Sequence, residues 1–94
     1  MSLSEESRIV VARDQVSCDL AGEAAILSLK NGVYYGLNSV GARIWNLIQT
    51  PRTFGDLRTI LLNEYNVEPP ELEQDMARLF RELSEHKLVE IGAI

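Results

Sequence analysis

The chain has 94 residues, 46% of them hydrophobic, and a formal net charge of −5, which describes one small globular domain able to bury roughly 60–65% of its unfolded surface and not a disordered chain. The negative balance argues against nucleic acid, whose binding needs clustered Lys and Arg to displace counterions, and against an anionic membrane surface. With one cysteine (Cys18), a polar acidic start that is no signal peptide, and no apolar run near the ~20 residues of a membrane span, the expected setting is the reducing cytoplasm.

Residues 1–7 read as a flexible tail and 8–94 as a single domain. Arg8 to Arg13 is a short β-rich segment. Val16, Cys18 and Leu20 alternate with Ser17 and Asp19, forming a second strand or a continuation of the first. Ala21-Gly22 is a turn, and Ala25 to Leu29 a buried strand. Asn31-Gly32 is a two-residue hairpin signal, since both residues tolerate positive φ, and Val33 to Leu37 is the returning strand.

The rest is helical. Asn38 or Ser39 can cap a helix running to about Gln49, with Val40, Ile44, Leu47 and Ile48 at helical spacing. Thr50-Pro51-Arg52 breaks it. Thr53 followed by Asp56 resembles a capping box at the start of a second helix, which carries Leu57, Ile60 and Leu61 and ends near Tyr65-Asn66. A third helix spans about Pro70 to His86, with Leu72, Met76, Leu79, Phe80 and Leu83 on one face, and Pro70 suits its first turn. Leu88, Val89 and Ile91 read as an apolar tail packed back on the core. The sum is an α+β domain, a small antiparallel sheet of three or four strands followed by three helices on one face. That order also describes a winged helix-turn-helix.

Nothing in the chain suggests catalysis. His86, the single histidine, sits where the negative end of the third helix favours a partly positive imidazole. Cys18, in a strand with no partner cysteine, suits a small buried apolar role. Trp45 has the spacing of a core residue. Glu68, Glu71, Glu73 and Asp75 lack the oxygen spacing and central glycine of a calcium loop and suit the positive end of a helix. Gly32, Gly36 and Gly41 form no phosphate loop. No nucleophile–base pair and no metal ligand set is apparent, so neither an enzyme nor a cofactor is expected.

The last strand is where a functional reading competes with a structural one. Tyr34 and Tyr35 are consecutive and face opposite sides of the sheet, one toward the core and one exposed. Gly36 removes a side chain and lets another backbone approach. A partner peptide could add as a strand here, with the long amphipathic third helix as the opposite wall.

The stretches Ala25 to Leu29, Gly32 to Asn38 and Val40 to Leu47, with Leu72 to Met76 and Phe80 to Leu83 of the third helix, resemble the PqqD family over about Ile9 to Ile91. The Tyr-Tyr-Gly strand, the Leu-Asn cap and the Gly-Ala-Arg-Ile-Trp helix carry the likeness together. The resemblance implies a winged helix-turn-helix that binds the leader segment of ribosomally made peptides as an extra strand. Carried over, the edge is Val33, Tyr34, Tyr35, Gly36 and Leu37, and the helix wall draws on Asp75, Met76, Arg78, Leu79 and Glu82. The Tyr-Tyr-Gly-Leu-Asn version is most similar to stand-alone recognition proteins of lasso-peptide pathways, which implies a leader protease and a macrolactam cyclase as partners. The alternative within the family is a peptide chaperone serving a radical enzyme. A winged-helix DNA-binding protein is disfavoured by Glu71, Glu73, Asp75, Glu82 and Glu85 on the third helix. A homodimer formed through the exposed strand edge is the third reading.

Overall fold

The computed structural model describes residues 3–92. The order is β1 (Arg8–Val11), β2 (Gln15–Leu20), β3 (Glu23–Ser28), β4 (Tyr34–Leu37), α1 (Ser39–Leu47), β5 (Arg52–Thr53), α2 (Phe54–Glu64), α3 (Pro69–Glu85) and β6 (Val89–Gly92). The α+β class and the three helices are those expected, but the strands form two antiparallel sheets, β2-β3-β4 and β5-β1-β6. The apolar residues after α3 are a strand, not a tail. Ile91 pairs with Ile9 and Val89 with Val11, while β5 pairs with β1 on its other side. The helices with this second sheet make the winged helix-turn-helix, and β2-β3-β4 stands beside it.

Residues 3–7, expected to fray, are held instead. The Ser7 carbonyl accepts the Phe54 N–H (2.8 Å) and the Glu5 carbonyl accepts the Gly55 N–H (3.0 Å), so this segment satisfies two of the free donors at the start of α2. The Glu5 carboxylate pairs with Arg58, which also binds Glu73 of α3 at 2.7 Å. Met1, Ser2, Ala93 and Ile94 lie outside the described residues.

The two hairpins of the first sheet exchange the roles expected of them. The tight one is at Ala21-Gly22, whose φ angles of 54° and 91° and flanking Leu20↔Glu23 pair make a two-residue turn with both φ positive. Asn31-Gly32 sits in a five-residue loop, residues 29–33. Only Gly32 has positive φ (70°), and the Asn31 side chain accepts the Val33 N–H at 3.0 Å. The asparagine folds onto its own backbone, which competes with the two-residue geometry. A β-carbon at Ala21 is costly in the left-handed region, whereas asparagine tolerates it. Ala21→Asn is therefore expected to raise unfolding stability by about 1 kcal/mol, a shift of roughly 4–8 °C in Tm by thermal denaturation.

The core lies between the helices and the inner faces of both sheets. Ile9, Ile26, Ile48, Leu57, Leu61 and Phe80 are fully buried. Trp45 is buried too, and its Nε1–H donates to Ser17 Oγ at 3.0 Å, tying α1 to β2. Cys18 corrects the expectation of burial: it is exposed. Ser17 pairs with Ile26, so the core face of β2 takes the odd-numbered residues, and Cys18 pairs with Ala25 on the outer face.

Helix ends follow the sequence closely. Asn38, not Ser39, caps α1, accepting the Gly41 N–H at 2.9 Å. Thr53 caps α2, accepting the Asp56 N–H at 3.1 Å. Helix α3 begins one residue earlier than expected, with Pro69 and Pro70 in its first turn, where a missing N–H leaves no orphan. It ends through Lys87 at φ 59°, with Leu88 N–H bonding the Leu83 carbonyl (2.8 Å) and Lys87 N–H the Ser84 carbonyl (3.0 Å). This reversal sends the chain back along β1 as β6.

Candidate functional site

Strand β4 is an edge of its sheet, hydrogen-bonded to β3 on one side only. The direction of its free groups follows from the ladder. Ser28 N–H donates to the Val33 carbonyl at 3.0 Å, and bonded pairs recur at every second residue of an antiparallel pair. Tyr35 and Leu37 therefore spend their backbone groups on β3, as Val33 does its carbonyl, while the Val33 N–H donates to Asn31 Oδ1. The N–H and C=O of Tyr34 and Gly36 point outward.

Beside this edge lies a groove of about 360 Å³. Its walls are β4, the start of α1 and one face of α3. Of the residues picked out in the sequence, Tyr35, Gly36, Leu37, Asp75, Met76, Arg78, Leu79 and Glu82 line it. Val33 and Tyr34 do not. Their side chains are 52% and 70% exposed, and Tyr34 lies on the opposite face of the sheet from Tyr35.

Sequence reasoning missed the third wall. Val40, Gly41 and Ile44 of α1 line the groove, as do Tyr65 and Val67 at its far end. The signal was present in part, because Val40 and Ile44 stand one helical turn apart and continue from β4 through the single cap residue Asn38. Gly41 lets α1 approach β4 closely: a Cβ there would stand 3.3 Å from Leu37 Cβ. Arg43 meets Glu64 with two hydrogen bonds (2.9 and 2.6 Å), which hold the Glu64 carboxyl below its ordinary range and fasten α1 to the end of α2 next to Tyr65.

Tyr35 spans the groove floor. Its hydroxyl donates to the Glu82 carboxylate on α3, and its ring packs against His86 with centroids 5.3 Å apart. Burial, then the Glu82 carboxylate, push the phenol from its ordinary value of 10.0 up to about 12. The sign follows from linkage. The neutral hydroxyl stabilises the fold fully below the unfolded value, and this contribution is lost as pH rises from about 10 through 12, because the unfolded tyrosine ionises first. Urea denaturation of the wild type is expected to show a loss across that window that Tyr35→Phe does not show.

The rest of the groove is apolar in its depth and acidic at its rim. Met76 is buried at the base and Leu79 half-buried, while Glu71, Asp75 and Glu82 stand along α3. Arg78 pairs with Asp75 at 2.9 Å, an exposed pair one turn apart that contributes little stability. Among the described residues no cluster of His, Cys, Asp or Glu side chains could hold a metal ion. No helix is long and apolar enough to cross a membrane. Chemically the site offers two outward backbone pairs, an apolar trough and no reactive group, which suits an extended peptide.

Residues 23–89 match the family model described as coenzyme PQQ synthesis protein D (PqqD). Among solved structures the chain is similar to TbiB1 in complex with the TbiA(beta) leader peptide, with 31% sequence identity and a TM-score of 0.81 over 86% of this chain and 94% of that one. No curated protein matches the chain.

Proposed function

The chain belongs to the PqqD family, and from that premise we propose that it is a non-catalytic binder of a precursor-peptide leader. The observation that carries this is the free β4 edge, with the backbone of Tyr34 and Gly36 pointing outward beside the groove under α3. The leader adds as a strand on β4, and alternate side chains enter the trough between Leu37, Met76 and Leu79. Main-chain bonds give affinity tolerant of sequence, and the trough gives selectivity. Tyr34 contributes its outward backbone and Val33 only an exposed flank, whereas Tyr35, Gly36, Leu37, Asp75, Met76, Arg78, Leu79 and Glu82 form the contact surface. The similar structure is itself that of a complex with a leader peptide, which supports the reading.

Ordering a disordered leader costs roughly 2–5 kcal/mol. What the capture gains is proximity: a leader held near an enzyme sees it at an effective concentration on the order of millimolar. The Tyr-Tyr-Gly-Leu-Asn strand favours a lasso-peptide pathway, with a leader protease and a macrolactam cyclase as the enzymes served. A DNA-binding reading is opposed by α3, whose exposed Glu71, Asp75, Glu82 and Glu85 outnumber Arg78 and Arg81.

The test is calorimetric titration with the leader peptide encoded nearest this chain's gene, with the core peptide as control. The expected result is binding of the leader alone, at about micromolar Kd or tighter. No binding to either peptide by the folded protein would overturn the proposal.

A further inference from the structure

The sheet β2-β3-β4 has a second open edge, on β2. The ladder to β3 again fixes which groups are free. Leu29 N–H donates to the Asp14 carbonyl at 2.8 Å, so Val16, Cys18 and Leu20 spend their backbone groups on β3, and those of Ser17 and Asp19 point outward. Five of the six β2 residues are exposed. The strand carries no proline, lysine or bulge, the devices that blunt an edge against pairing, and its one charge is Asp19. Val16 and Leu20 stand exposed on the outer face, with Cys18 between them. An unprotected edge flanked by apolar side chains marks an interaction surface.

The pattern of β2 is complementary to itself. A two-fold axis normal to the sheet joins the same edge of two copies as antiparallel strands, with both outer faces on one side. With the axis at Cys18, Val16 stands opposite Leu20 of the second copy, twice over, and Cys18 opposite Cys18. Ser17 and Asp19 then form the hydrogen-bonded pairs. Moving the axis one residue either way sets Leu20 opposite Asp14, or Asp19 opposite Asp19, and forfeits the match. On the inner face Ser17 Oγ already accepts from Trp45, which leaves its O–H to donate to the Asp19 carboxylate opposite. Helix α1 lies over β3 and β4. The two β3 strands flanking a β2 pair stand three spacings apart, about 14 Å. Packed helices need about 8–10 Å between axes, so two α1 helices fit side by side.

We propose that β2 pairs with β2 of a second copy in this register, making a weak antiparallel dimer. Five paired residues bury less than the ~800 Å² per partner of a stable interface, so the dimer forms with a Kd on the order of 100 µM. Both β4 edges lie at the far ends of the joined six-stranded sheet, so each copy keeps its groove open. The inference does not rest on leader capture. Where capture holds, one dimer carries two leaders.

The experiment is sedimentation equilibrium of the full chain in reductant, from about 10 µM to about 1 mM. The wild type is expected to pass from monomer to dimer across this range. Val16→Lys/Leu20→Lys sets like charges opposite each other and is expected to raise the dimer Kd by about tenfold or more. Val16→Lys/Leu20→Glu makes each lysine face a glutamate of the second copy in this register alone, and its Kd is expected to stay within about threefold of the wild type. Circular dichroism verifies that both variants fold. On air oxidation with copper phenanthroline, the wild type is expected to cross-link through Cys18. A non-hydrogen-bonded pair sets the two Cα atoms about 4.5 Å apart, inside the span of a disulfide at about 4.4–6.8 Å. A wild type that stays monomeric throughout, a Lys/Lys variant that dimerises as the wild type does, a Lys/Glu variant no better than Lys/Lys, or a dimer that gives no Cys18 cross-link would each overturn the proposal. None of these outcomes bears on leader binding, which the titration decides.

Discussion

Gly36→Pro is expected to weaken leader binding by about 10- to 100-fold while leaving the domain folded. The effect depends on which way one N–H points. Gly36 faces Ala25 in a pair that exchanges no ladder bonds, so its N–H is free in the unbound protein. Proline is tolerated on an edge strand where the N–H faces solvent. The fold therefore loses nothing from its own ladder. A docking strand loses one hydrogen bond and meets the pyrrolidine ring where its backbone must approach.

Gly36→Ala is the control. A Cβ at this position meets nothing within 4 Å, and it points to the outer face, not along the edge. Alanine is expected to bind the leader within about twofold of the wild type. Calorimetry gives the two affinities, and far-UV circular dichroism with thermal melts verifies the fold. Equal affinity for proline and wild type would mean that the leader is not paired on β4, however well it binds.

What the sequence revealed and what it hid follow from how far each signal reaches along the chain. Helices α1, α2 and α3 were legible because their apolar residues recur over several turns and their caps are local chemistry at Asn38, Thr53 and Pro70. The β4 edge was legible from Tyr34, Tyr35 and Gly36 for the same reason. The second sheet was not. Its strands are two to four residues long, and β6 pairs with β1 from the opposite end of the chain, so no local pattern announces it. Cys18 was misplaced because the strand alternates apolar and polar residues correctly but turns the apolar set outward. Only the pairing of Ser17 with Ile26 and the hydrogen bond from Trp45 decide that phase. The α1 wall of the groove was missed because the edge and α3 suffice to describe an interface on paper. That α1 closes the trough depends on the close approach at Gly41.

Helix α3 serves the core with one face and the groove with the next, and substitutions one residue apart are expected to separate the two. Leu72, Met76, Phe80 and Leu83 point inward, and Phe80 is fully buried, with its ring edge-on to Phe54 at 6.2 Å. Asp75, Leu79 and Glu82 stand about a quarter turn round, on the groove. Phe80→Ala removes a buried aromatic ring and leaves a cavity, at about 3–5 kcal/mol. Against a total stability of about 5–15 kcal/mol for a domain, that is most of what a small one has. Tm is expected to fall by roughly 15–30 °C. Its apparent leader affinity falls only in proportion to the fraction that remains folded, and saturating leader is expected to raise its Tm, because a ligand that binds the native state alone stabilises it. Leu79→Glu should behave oppositely. Leu79 is half-buried at the groove, so its Tm stays within a few degrees of the wild type, while a carboxylate in the trough removes apolar contact and adds to the acidic rim of Glu71, Asp75 and Glu82. Leader affinity is expected to drop about tenfold or more, and the same concentration of leader raises the Tm by clearly less than it does in the wild type. Differential scanning fluorimetry with and without leader reads both variants in one experiment. If Leu79→Glu retained the full leader-induced shift in Tm, α3 would not be a wall of the binding site, and its groove face would be surface alone.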